Sequence, residues 1–324
     1  MAAFRRELLR VGGDNLVGYW PLDDQGGTTA RDIGPNVEDL DITGTTLGQK
    51  GPPGLGRSHY FDGVNDYNSA HEYDSEQGTV TYNGNNLDDD AQDFNDWKTT
   101  SGNAAYYVAV TDDDSDVSWG YLGDVVDATE INVYTDKALS SAGWNGDGGT
   151  GTPASYKVYP SDFNITGALT VGAWVKTPSG IGASSRVIAS KYDWAVNQRS
   201  WLFYILATTG YVGSVISTDG SAIVVASGSI NRADDNWHHV VNVFNPSTSL
   251  TVYVDGQQEV RNTTAIPATL FDSYIASVVG VSYSSGARAN FMLGNQSHLF
   301  LMDKALTAAE VKRLYDIGHR AHGG

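Results

Sequence analysis

Three carboxylates stand at every second position, Glu72, Asp74 and Glu76. In an extended strand that spacing puts all three side chains on one face. There, one could serve as nucleophile and another as general acid on a glycosidic bond. General-acid work needs an apolar surround that raises a carboxyl pKa. The neighbours His71, Tyr73, Ser75 and Gln77 do not supply it, so the stretch reads as a solvated boundary. His238 and His239 are adjacent, and adjacent strand residues point to opposite faces. The pair therefore cannot share one metal ion, and a structural role beside Trp237 is expected. No nucleophile-elbow pattern supports a Ser-His-Asp triad, and no Gly-rich phosphate loop is present. The chain has no cysteine. Disulfides, zinc-thiolate sites and cysteine nucleophiles are thereby excluded.

Oxygen-rich turns are the other chemical feature. Calcium takes six to eight oxygen ligands, and Asp62, Asn65 and Asp66 form one candidate set. Asp88 to Asp90 form a second, and Asp112, Asp114 and Asp116 a third. The third opens like an EF-hand loop but has Val117 where that loop needs glycine. Solvated turns are the plainer account of each run. Sugar binding calls for aromatic faces with polar groups nearby. Trp97, Trp119 and Trp144 lie in a stretch too small to bury many large rings, and they are candidate ligand contacts. Core packing is the alternative for each. Trp20, Trp174 and Trp237 read as core, and Trp194 and Trp201 fit either role.

The elements that must position these residues are strands. The 324 residues include 31 Asp against 7 Glu, together with 37 Gly, 18 Tyr and 8 Trp. That composition favours tight turns and strands over helices. Leu16–Trp20, Ala168–Lys176, Trp201–Leu206, Tyr211–Ser217, Ala222–Ala226, His238–Phe244 and Leu250–Val254 read as strands. Asp255-Gly256 reads as a hairpin turn. One helix is expected near the C-terminus, with Thr307 as N-cap and Glu310 completing a capping box. Val311, Leu314 and Tyr315 would form its apolar face, and Gly318 its C-cap. Phe4 to Leu9 reads as a helical turn or arm. The net charge is −18, which disfavours nucleic acid and anionic membranes as partners. No segment is apolar enough to cross a bilayer. The acidity is local. Residues 73–162 hold 17 acidic residues against three basic ones, Lys98, Lys137 and Lys157.

Five segments, in order, resemble the laminin G-like, concanavalin A-like jelly-roll family. They are Leu16-Val17-Gly18-Tyr19-Trp20-Pro21-Leu22-Asp23, Phe61-Asp62-Gly63-Val64-Asn65-Asp66-Tyr67, and Ala168 to Lys176. The fourth is Trp237-His238-His239-Val240 with Leu250 to Gly256, and the fifth is Lys304 to Val311. The resemblance covers about 14–72 and 163–318. It implies an all-β fold, an antiparallel two-sheet jelly-roll sandwich with a short C-terminal helix. Ahead of that helix the family usually has an Asp-Glu pair, whereas Gln296-Ser297-His298-Leu299-Phe300 stands here. This puts any role of that pair in doubt. Glu72, Asp74 and Glu76 match the carboxylate spacing of a jelly-roll glucanase family. The acidic stretch 73–162 reads as a β-rich insertion. It resembles the discoidin-like, galactose-binding sandwich at Trp119 to Gly123, Ile131 to Tyr134 and Ser155 to Asp162.

The expected organisation is an arm at 1–13, a jelly roll from 14–72 and 163–324, and an inserted subdomain at 73–162. The expected role is non-enzymatic binding or adhesion, with calcium as the one candidate cofactor. The partners expected are a glycan or cell-surface receptor and fellow virion proteins, in a homo-oligomer or larger assembly. No secretion signal is visible where Arg5, Arg6 and Arg10 precede Val11-Gly12-Gly13-Asp14. A virion surface protein, made inside a host and released by lysis, reconciles that with a fold usually found outside cells. Decoration, fibre or spike roles follow, serving host glycan attachment or particle stabilisation. The rivals are a glycoside hydrolase using Glu72, Asp74 and Glu76, and a structural decoration protein with no ligand.

Overall fold

Runs of Val, Ile, Tyr, Phe and Trp bounded by Gly and Asp turns build antiparallel sheets throughout the chain. The computed structural model describes residues 2–70, 73–74, 80–89, 94, 105–113, 116–127, 129–149, 152–180 and 182–320. The chain divides into two compact units. The first is Met1–Ala70 with Ile165–Gly324, and the second is His71–Asn164.

The first unit is a two-sheet jelly-roll sandwich. One sheet runs, edge to edge, through Gln257–Asn262, Ser249–Val254, Trp237–Asn245, Leu169–Lys176, Leu293–Met302, Arg57–Asp62 and Thr46–Lys50. Leu16–Trp20 pairs with Leu293–Met302 as its eighth strand. The other sheet runs through Val224–Asn231, Tyr211–Gly220, Gln198–Ile205, Arg186–Asp193, Val278–Val279, Tyr67–Ala70, Leu40–Thr43 and Thr29–Ala30. Arg186–Asp193, absent from the sequence-based strand set, is central to this sheet. Its Arg, Ser, Lys and Asp hide the period-2 signal, yet Ser190, Lys191 and Asp193 are all buried. The Lys191 ammonium donates to the Ile275 carbonyl, which satisfies a charge that sequence alone would place outside. Gln296 links the two sheets, donating to the Ile188 carbonyl across 3.2 Å.

The first sheet is covered on its outer side as well. α1 (Ala2–Gly12) and α2 (Ala308–Arg320) lie against it. The expected N-terminal arm at 1–13 is therefore a three-turn helix. Phe4, Leu8 and Val11 recur at helical spacing and are buried in one cluster with Trp174, Val241, Phe300, Val311 and Leu314. Glu7 ties the helices together, accepting from Arg10 at 2.5 Å and from Arg313 at 2.6 Å. At the start of α2 the capping box is present. The Thr307 amide donates to Glu310 Oε2 at 2.8 Å, and the Glu310 amide to Thr307 Oγ1 at 3.3 Å. Gly318 lies inside α2 and not beyond its end. A Cβ there would stand 2.7 Å from Trp174 Cζ2, so glycine lets the helix approach the sheet. The hairpin after Ser249–Val254 turns at Asp255 (φ 51°) and Gly256 (φ 74°), both left-handed as the turn demands.

The second unit is an eight-stranded antiparallel sheet. Its order is Tyr73–Asp74, Pro153–Pro160, Tyr106–Asp112, Val117–Asp127, Glu130–Tyr134, Asn86–Asp89 and Val80–Asn83, with Asn145–Gly146 on Val117–Asp127. One face carries Val108, Val110, Leu122, Ile131, Val133, Tyr156 and Val158 into a core with Leu87, Phe94 and Trp144. The opposite face carries a cross-strand aromatic row, with Tyr159 and Tyr121 flanking Tyr107. Among the described residues no helix is long and apolar enough to cross a membrane.

Candidate functional site

A cross-strand row sets up a cleft in the first unit. Lys176 ends its strand directly opposite Trp237 on one side and Asn295 on the other. The three side chains thus lie abreast on the outer face of the sheet. Two adjoining hollows, of about 370 Å³ and 290 Å³, meet over this row and share Pro53, Lys176 and Trp237. Tyr315 and Asn236 add to the larger hollow, Gln49 and Lys50 to the smaller. The larger hollow falls within the range of about 300–1,000 Å³ usual for small-molecule pockets. Trp237 is half-buried, with part of its ring in the cleft.

The turn before Trp237 is tightly held. The Asp235 amide donates to the Thr177 carbonyl at 3.0 Å, and Asp235 Oδ2 accepts from the Ser179 amide at 3.2 Å. His238 Nδ1 stands 2.8 Å from Asp255 Oδ2, and its Nε2 stands 3.1 Å from Asp234 Oδ1. Carboxylates only accept, so both ring nitrogens donate and the ring is an imidazolium. Burial opposes that charge. The hydrogen bonds and charges of Asp255 and Asp234 outweigh it and hold the ring above the ordinary histidine value. Burial also works to raise Asp255, but the His238 ring overrides it and keeps this carboxyl below the usual range.

His239 points the other way. It is fully buried among Phe4, Trp174, Phe300 and Tyr315, with Trp174 at 5.2 Å between ring centroids. Burial pushes it down to about 4, so it is neutral at pH 7. His298 stands where the family's carboxylates would be near. Its Nε2 donates to the Leu55 carbonyl at 2.8 Å, and its Nδ1 accepts from the Tyr19 hydroxyl at 2.6 Å. The carbonyl cannot donate, which fixes that tautomer. Gln296 Nε2 and the Ser297 hydroxyl likewise donate to backbone carbonyls.

The residues singled out from sequence are scattered. Glu72, Glu76, Trp97, Asp90 and Asp114 lie outside the described residues. Asp74 belongs to the two-residue strand Tyr73–Asp74, opposite Lys157. Trp119 is buried and packs edge-on to Tyr121, with centroids 5.9 Å apart. Trp144 is buried in the core of the second unit, edge-on to Tyr82 at 5.0 Å. Asp62 Oδ1 accepts from the Val64 and Asn65 amides, and Asp66 Oδ2 from the Asp62 amide. Asp112 Oδ1 accepts from the Asp116 amide. These carboxylates cap their own turns. Among the described residues no three His, Asp or Glu side chains converge as a metal site would need.

Asn295, Gln49 and Pro53 carried no motif, Lys176 was read only as the end of a strand and Tyr315 as part of a helix face, and Trp237 was expected in the core. Strand-end position was the one available signal, since a ring at a sheet's end is covered on fewer sides. Of the other uncertain tryptophans, Trp201 is buried, and Trp194 is exposed with Arg199 stacked 4.3 Å over its ring.

Comparisons with known proteins bear on the family. Residues 147–312 match a family model described as the concanavalin A-like lectin/glucanases superfamily. No curated protein matches the chain. Among solved structures, the chain is similar to the CBM40 of a Ruminococcus gnavus IT-sialidase bound to α2,3-sialyllactose. Identity there is 16%, over 48% of this chain and 85% of that one, with a TM-score of 0.41. A heptameric SAP-like pentraxin from Limulus polyphemus is 20% identical, over 46% and 70% of the two chains, with a TM-score of 0.37. The ligand-binding domain of botulinum neurotoxin serotype D, in complex with N-acetylneuraminic acid, is 8% identical. It covers 96% of this chain and 52% of that one, with a TM-score of 0.46.

Proposed function

The chain belongs to the concanavalin A-like lectin/glucanases superfamily, and on that premise we propose that its jelly roll is a carbohydrate-binding module that holds its ligand in the cleft over Trp237 and Lys176. The observation that carries this is the row itself. A partly exposed indole stands abreast of an ammonium and a carboxamide. A sugar ring offers an apolar face for the indole and hydroxyls for Lys176, Asn295, Asn236 and Gln49. The cleft favours binding over hydrolysis. Its two carboxylates are Asp235 and Asp255. Asp255 is held ionised by His238 and is thus no protonated acid for a leaving group, as glycoside cleavage requires, and Asp235 is turned to the Ser179 amide and hydroxyl.

Placement on a virion surface or outside the cell belongs to the same proposal, and immunogold labelling of the native source tests it. The binding reading is tested on a broad array of neutral and acidic glycans, with and without calcium. Trp237→Ala and Asn295→Ala are run beside the wild type, with melting curves to confirm folding. Binding that falls at least ten-fold in either folded variant is expected. An array on which the wild type binds nothing, or on which both folded variants bind as it does, removes the reading.

A further inference from the structure

We propose that the cleft selects an acidic saccharide, with Lys176 receiving its carboxylate or sulfate group; this rests on the carbohydrate reading above. The partners of the surrounding charges point to it. Other partly buried cations of the first unit have partners: Lys304 pairs with Glu310, Lys312 with Asp316 and Arg232 with Glu259, while Arg186 and Arg199 donate to backbone carbonyls. Lys176 is half-buried, yet its ammonium makes no hydrogen bond or ion pair with any described residue.

Two acids line the same hollow and could have taken it, but both are turned to other partners. Asp255 holds His238 and the His239 amide, and Asp235 holds the Ser179 amide and hydroxyl. On the other side of Lys176 the smaller hollow contains no acid. Its lining is Gln49, Lys50, Gly51, Pro53, Trp237 and Asn295. Lys50, exposed at the rim, adds a second positive charge.

A half-withdrawn ammonium is stabilised most by an anion that shares its partial shelter from water, because the attraction is screened less there than at the open surface. The site thus matches a sugar ring stacked on Trp237 with an anionic substituent directed across the row to Lys176. Asn295, next along the row, can donate to the same group or to a neighbouring hydroxyl. The protein carries a net −18, so distant charge repels such a ligand, and only a local, uncommitted cation can hold it.

Two probe pairs separate the carboxylate from the sulfate. One is an oligogalacturonate beside its carboxyl-reduced galactose oligomer, and the other a κ-carrageenan oligosaccharide beside its desulfated form. Calorimetric titration of the full chain is expected to favour the acidic member of at least one pair about ten-fold, the size of one charged hydrogen bond. Lys176→Gln, at an unchanged melting temperature, is expected to erase that preference, so that the variant binds the acidic and the neutral member of the pair alike. Equal affinity for both members, or a preference that survives Lys176→Gln, overturns the proposal and leaves the carbohydrate reading standing. Array binding confined to neutral glycans does the same. Silence from all four probes overturns the proposal, and silence from the array as well takes the carbohydrate reading with it.

Discussion

His239 makes the acid response of the jelly roll calculable. It sits beneath the cleft, fully buried against Phe4, Trp174, Phe300 and Tyr315. Neither of its ring nitrogens hydrogen-bonds to a described residue. Burial pushes its pKa down to about 4, against the pull of Asp255, and burial does the same to His298. Unfolded, both rings titrate near 6.5. Between pH 6.5 and 4 the unfolded chain therefore takes up protons that the folded chain refuses. Each histidine's contribution is whole above pH 6.5 and declines as the pH falls toward 4. The gap is worth about 3 kcal/mol for each ring, so the pair rivals a typical folding stability of about 5–15 kcal/mol.

The variant that isolates one ring is His239→Phe, which keeps a flat ring among aromatic neighbours and removes the titrating group. At pH 7.5 it should be at least as stable as the wild type, because unpaired buried nitrogens give way to carbon. Below pH 6.5 the wild type should lose about 1.4 kcal/mol more per pH unit than the variant. Urea unfolding followed by tryptophan fluorescence, at half-unit steps from pH 4 to 7.5, gives that difference directly. Carboxylates remote from His239 affect both proteins alike and cancel. A difference between the two that does not change with pH refutes the neutral buried ring.

Three other outcomes follow from single contacts. Gly318→Ala should lower stability by roughly 1–3 kcal/mol, seen as a lower melting temperature, because its methyl group meets Trp174 at 2.7 Å. Thr307→Ala should cost about 1 kcal/mol by opening the capping box of α2, measured by the same melt. His238 should remain protonated above the ordinary histidine range in an NMR titration, and Asp255→Asn should bring its pKa down. Its contribution to stability has the opposite sense to that of His239, being whole below about pH 6.5 and lost as the pH rises through its folded value.

The amino-acid sequence by itself determined the all-β class, the family and most of the strands. Those depend on local pattern: β-branched and aromatic runs, Asp and Gly at turns, and a Thr-x-x-Glu box. Leu16–Trp20 has the bounds expected of it, and Asp255-Gly256 turns as its residues require. Local pattern failed where burial reverses a residue's usual preference. Arg186–Asp193 was missed because its lysine and aspartate are polar, and only the sheet around them shows how their charges are met. Gly318 looked like a helix stop, and only the nearness of Trp174 explains why glycine sits within the helix. The N-terminal helix needed a partner surface before Phe4, Leu8 and Val11 had anything to bury against. The cleft is the extreme case. Lys176, Trp237 and Asn295 are about sixty residues apart along the chain at each step, and nothing in their spacing relates them. Register across three strands brings them abreast, and cross-strand register is set by the whole sheet's hydrogen bonding and burial.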